Sequence, residues 1–72
     1  MSERIRLLDV VALTEDVPEH GLLRGQVGTV VEMLSEGNCE VEFSGDDGRA
    51  YAIFPLEPRQ LIVLRYQPAH AA

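Results

Sequence analysis

Apolar runs in this chain are short, and clusters of Gly, Pro, Asp, Asn or Ser cut between them at intervals of roughly ten residues, the spacing of all-β sandwiches and small barrels. The runs cover residues 7–13, 26–34, 39–43, 49–54 and 61–64. No stretch carries the period of an amphipathic helix of useful length. The third run, Cys39-Glu40-Val41-Glu42-Phe43, alternates cleanly, which places Val41 and Phe43 toward a core and Glu40 and Glu42 toward water. Turns are expected at Ser35-Glu36-Gly37-Asn38 and at Gly45-Asp46-Asp47-Gly48, where Gly and Asp supply the left-handed backbone that tight hairpins need. Pro55 and Pro58 each lack an amide donor, so 55–60 reads as a loop or single helical turn.

One long connection at 14–25 followed by short hairpins predicts a five-stranded SH3-like small barrel, partly open, all-β. A length of 72 residues allows a single domain, read as 1–66 with a disordered tail at 67–72. A core of this size rarely supplies more than roughly 3–5 kcal/mol without disulfides, a metal or association. One cysteine, Cys39, excludes an internal disulfide. A hydrophobic fraction of 46% is too high for a disordered acidic tail, and the apolar runs are far shorter than a membrane span. The N-terminus lacks the basic start and apolar stretch of a secretory signal, so a cytoplasmic, non-membrane protein is expected.

The residues Asp9-Val10-Val11-Ala12-Leu13, Pro18, Gly21-Leu22, Gly25 and Gly28-Thr29-Val30-Val31-Glu32 carry two resemblances. At the level of a motif, the Gly-x-x-Gly-x-Val stretch resembles the KOW type of SH3-like barrel, which implies contact with RNA or the ribosome. Over residues 7–65 the chain resembles a family of short uncharacterised bacterial proteins classed as a domain of unknown function. That pattern stands here at 8–14, 18–22 and 25–32. It implies a small stand-alone domain, in some members paired with a neighbouring gene's product, and it transfers no catalytic residue. RNA-binding KOW domains usually carry basic residues around the motif, whereas only Arg24 stands beside it here and Glu32 follows it.

Candidate chemistry is sparse. Gly25 and Gly28 are followed by no helix and no Lys-Ser/Thr pair, so they read as strand-geometry residues rather than a phosphate cradle. His20, His70 and Cys39 match no zinc-ligand spacing, and no metal or other cofactor is expected. Cys39 shares the face of Val41 and Phe43 and reads as a small buried thiol rather than a nucleophile. Asp46 and Asp47 beside Glu36 or Glu42 form an acid pair or weak cation site on one reading and ordinary turn chemistry on the stronger one. No nucleophile, base and orienting group can be assembled, so no enzymatic activity is expected.

Charge is more informative. The net charge is −6, every cation is an Arg, and Glu32, Glu36, Glu40, Glu42, Asp46 and Asp47 follow one another without an intervening basic residue. Such a surface repels phosphate backbones and steers basic partners inward; its plainer reading is a face that keeps the protein in solution. Alternation also fails in two strands, where Leu8, Val10 and Ala12 oppose Val11 and Leu13, and Leu61 and Val63 oppose Ile62 and Leu64. Either those strands are covered on both sides or an apolar patch remains for another chain. Arg59 and Arg65 serve as interface anchors on one reading and as ion-pair partners of the carboxylates on the commoner one.

The expected function is therefore a non-enzymatic, acidic protein-binding module, in the manner of the antitoxin or immunity half of a two-protein pair. Its partner is expected to be a basic protein, met through Glu32, Glu40, Glu42, Asp46 and Asp47, with Tyr51 and Tyr66 as aromatic anchors. The alternatives are a KOW-like RNA- or ribosome-associated domain acting through the 15–25 loop and Arg24, and a structural homo-oligomer. Nucleic acid is disfavoured by the charge.

Overall fold

The computed structural model describes residues 4–45 and 50–65, the side chains of 50 and 51 excepted. Five strands form: β1 (Val10–Leu13), β2 (Val27–Met33), β3 (Cys39–Ser44), β4 (Ala50–Leu56) and β5 (Leu61–Val63). They pair antiparallel in one sheet of order β4-β3-β2-β1-β5. β4 and β5 are both edges, so the sheet is not closed, in keeping with the partly open small barrel that the loop lengths predict. Among the described residues the only helical segments are 3-10 turns, and no helix is long and apolar enough to cross a membrane.

Two strand boundaries differ from expectation. The 7–13 run yields a strand only from Val10, because the Asp9 carboxylate accepts the Arg6 amide at 2.8 Å and folds 6–9 into a turn, with Leu8 at φ 72. β4 continues through Pro55 to Leu56. Proline is tolerated there because β4 is an edge strand, where no neighbour on the open side needs its missing donor. Between β2 and β3, Glu36 (φ 62) and Gly37 (φ 80) are both left-handed, and the Asn38 amide donates to the Ser35 carbonyl. This is the primed turn whose twist suits a hairpin.

One face of the sheet is the core. Val11, Val30, Val41, Phe43 and Cys39 are fully buried there, joined by Leu13, Leu56 and Leu61. The cover comes from the long connection at 14–26, not from a second sheet. Val17 and Leu22, each 2% exposed, exchange backbone hydrogen bonds of 2.9 and 3.1 Å and project the loop's apolar side chains onto the sheet. Pro18–His20 forms a 3-10 turn between them, ended by left-handed Gly21. Ile5, Phe54 and Val63 seal the margins.

Gly28 sits on the core face opposite Val11 and Phe43. A Cβ at Gly28 would lie 2.7 Å from Val41 Cγ1, 2.8 Å from the Glu42 carbonyl oxygen and 3.0 Å from Phe43 Cδ1. The strands approach closely here only because that atom is missing.

The opposite face carries three cross-strand rows. Ile62, Ala12 and Val27 make the first; Val10, Thr29, Glu42 and Ile53 make the second. The third is Glu32, Glu40 and Pro55. The third row exists because of a bulge: Val30 pairs with Val41 but Glu32 with Glu40, so Val31 is the extra residue and the phase of β2 shifts by one. A second irregularity leaves Tyr51 unpaired between Ala50 and Ala52.

Gly28→Ala is expected to destabilise the fold by about 1–3 kcal/mol, a fall in Tm of roughly 5 °C or more in a thermal melt. Shrinking Val41 or Phe43 in the same chain should not restore it, since the Glu42 carbonyl stays in place. Glu36→Gly should raise stability by roughly 1 kcal/mol by relieving a left-handed non-glycine residue, read as a higher denaturant midpoint.

Candidate functional site

The alternation of β3 and the bulge of β2 decide where the expected site residues go. Glu40 and Glu42 stand two apart on β3 and therefore share a face. Bulging at Val31 turns Glu32 onto that same face, directly opposite Glu40. Three carboxylates of the expected set are thus brought together on the outer face of the β2–β3 hairpin. Glu32 is exposed, while Glu40 and Glu42 are half-buried among their neighbours. None of the three forms an ion pair among the described residues. Like charges directly opposite one another on a sheet are destabilising, so this arrangement carries a cost. Asp46, Asp47 and Tyr66 lie outside the described residues, as do Gly48 and the tail; Tyr51 is placed on β4 by its backbone alone.

A second feature was not visible along the sequence. Where the 14–20 connection meets the end of β4, a polar groove of about 340 Å³ opens, lined by residues that include Glu15, Glu19, His20, Asn38, Pro55 and Glu57. Its wall is built by the Pro58–Gln60 3-10 turn, which Glu57 and Gln60 close with a reciprocal capping box. Arg59 Nε donates to Glu57 Oε1 at 3.1 Å and Nη1 to Glu15 at 3.3 Å. Gln60 Nε2 donates to Glu15 Oε2 at 3.3 Å, and the Thr14 hydroxyl donates to the Arg59 carbonyl at 2.9 Å. Glu57 chiefly, and then Glu15, hold the Arg59 guanidinium above its ordinary range. The ion-pair reading of Arg59 is therefore the observed one, although it joins two connections rather than two strands. All three side chains are well exposed, so the cluster positions a turn more than it stabilises the fold. The sequence signal for it was Glu57-Pro58-Arg59-Gln60, a capping box with Pro at the first helical position.

On the groove's inner side the His20 ring stacks on Phe54, centroids 3.9 Å apart and planes 9° from parallel. That contact ties the 3-10 turn of the connection to the margin of the core. His20 thus packs against Phe54. Among the described residues, no three of His, Cys, Asp and Glu converge in a way that could hold a metal ion. Arg24 is exposed, and its backbone amide is held by Asp16 Oδ1 at 2.8 Å.

Cys39 is fully buried on the core face, as its alternation with Val41 and Phe43 predicts. Its thiol lies 3.7 Å from the Gly37 carbonyl, to which it donates. Burial pushes the thiol above its ordinary value of 9.0. A raised thiol pKa means the folded state holds the proton more tightly than the unfolded chain. Its share of stability is therefore complete below pH 9.0 and is lost as pH rises through the folded value. Native protein at pH 8 should resist iodoacetamide over a time in which free cysteine is consumed, and should alkylate fully once denatured.

The family model of a domain of unknown function, DUF4926, matches residues 7–63. No curated protein and no solved structure matches the chain.

Proposed function

The chain belongs to the DUF4926 family, and from that premise we propose that it is a small acidic protein-binding module, non-enzymatic, which meets a basic protein through the outer face of the β2–β3 hairpin. The observation that carries this reading is the direct opposition of Glu32 and Glu40 with Glu42 on the same face. A pair of like charges held at cross-strand distance weakens the sheet that bears it. A small domain with a narrow stability margin gains nothing from that pairing by itself. It does gain a local field, which raises the encounter rate with a cationic partner and repels phosphate backbones.

The SH3-like reading of the barrel and a bacterial, cytoplasmic setting fit this proposal, and so does a role as the acidic half of a two-protein pair. Asp46 and Asp47 follow β3 in sequence and extend the same run of carboxylates. Tyr51, at the β4 irregularity, and Tyr66 complete the proposed contact set as aromatic anchors.

The discriminating variant is Glu32→Gln combined with Glu40→Gln. Relief of the repulsion should stabilise the fold by roughly 0.2–1 kcal/mol in denaturant melts. The same change should weaken capture of the native partner and flatten its dependence on salt. Fold and function then move in opposite directions, which a purely structural role would not produce. Charge reversal, Glu40→Arg with Glu42→Arg, should abolish capture. Unchanged capture after reversal would overturn the proposal. Capture of ribosomal material that vanishes on nuclease treatment would favour the RNA-associated alternative instead.

A further inference from the structure

The face that bears the carboxylates is only half acidic. Its first row, Ile62-Ala12-Val27, has no charged member, and Ile62 and Val27 are 53% and 50% exposed. The third row contains Glu32 and Glu40. Two pleat repeats separate these rows, about 13 Å at ~3.3 Å per residue. An apolar patch and an acidic patch thus lie side by side on one continuous sheet surface, and the connection at 14–26, which covers the core, is on the other side.

Resting on the partner-binding reading above, we infer that this outer face docks a cationic amphipathic helix of the partner, its apolar side chains on Val27 and Ile62 and its Arg or Lys side chains about two helical turns further on, against Glu32 and Glu40, with Glu42 in the row between. Charge selects this occupant. A second copy of this chain brings its own net charge of −6 to the same surface, and an anionic membrane or a nucleic acid is repelled by it. Neutral apolar segments satisfy only the first row. Pairing through the edges is poorly served, because β5 has three residues and β4 carries Pro55. Contact through side chains on the face remains, and a helix lays such a row at 1.5 Å per residue, so residues eight apart span about 12 Å and match the spacing of the patches.

Two synthetic helical peptides of equal positive charge test this with the full chain. One has Leu along a single face with Arg two turns further on; the other replaces each Leu by Ser. Amide shifts in two-dimensional NMR give affinity and location together. The Leu peptide should bind at least tenfold more tightly than the Ser peptide, with shifts concentrated on the outer-face residues of β1, β2, β3 and β5. Val27→Ser with Ile62→Ser, both at exposed positions, should lose at least tenfold in affinity and keep the salt dependence. Glu32→Gln with Glu40→Gln should flatten the salt dependence. Equal binding of both peptides, reduced only by the Gln pair, would overturn the amphipathic dock while leaving the acidic module standing. Absence of binding by either peptide would overturn the dock, and the partner-capture result above then decides the fate of the module separately. If sedimentation shows a dimer that the Ser pair dissociates, the apolar row belongs to a second copy and the inference fails.

Discussion

A five-stranded sheet has two faces, and among the described residues one connection, 14–26, covers only one of them. Residues 14–26 fold back with Val17 and Leu22 hydrogen-bonded to each other, and these two join Val11, Leu13, Val30, Val41 and Phe43 in one buried cluster. Phe43 and Cys39 are buried in the same cluster as Val17 and Leu22, while the close approach at Gly28 is made within the sheet by Val41, Glu42 and Phe43. Among the described residues no segment is laid over the other face, and the composition of its exposed positions is then a matter of chemistry rather than of folding. Ile62 and Val27 on that face contribute little to the hydrophobic stabilisation of the monomer, because much of their surface stays in water.

The arrangement of that face depends on one extra residue. Without the bulge at Val31, Glu32 would keep the phase of Val30 and point toward the core, where an unpaired carboxylate is costly. With it, Val30 stays inside, Glu32 stands outside, and the two carboxylates confront each other across the hairpin. Core packing and surface charge are thereby satisfied by the same local irregularity.

Much of this was legible in the sequence where the signal is local. Cys39, Val41 and Phe43 alternate with Glu40 and Glu42, and the burial follows residue by residue. The Ser35–Asn38 turn and the 3-10 turn at Pro58 were written in Gly, Asn and Pro. What escaped was set by partners distant in the chain. Pro55 continues a strand because β4 happens to lie at an edge, a fact of topology that the local sequence does not carry. In the Val27–Met33 run Val30 and Val31 are adjacent and both apolar, so either fits an inward position and the place of the register slip is not marked by hydropathy. The groove joins Glu15 to Arg59 and His20 to Phe54, contacts more than thirty positions apart. Leu7 and Leu8 looked like strand because their hydropathy is right, but the Asp9 side chain captures the Arg6 amide and bends the backbone first.

The two free edges set how this protein behaves when crowded. Open sheets invite further copies to add strand by strand. Here one edge is three residues long and the other meets Pro55 after the five residues 50–54, so the stretch open to such addition is short at both edges. A strand added at either edge would gain only a short ladder, which disfavours growth into fibres.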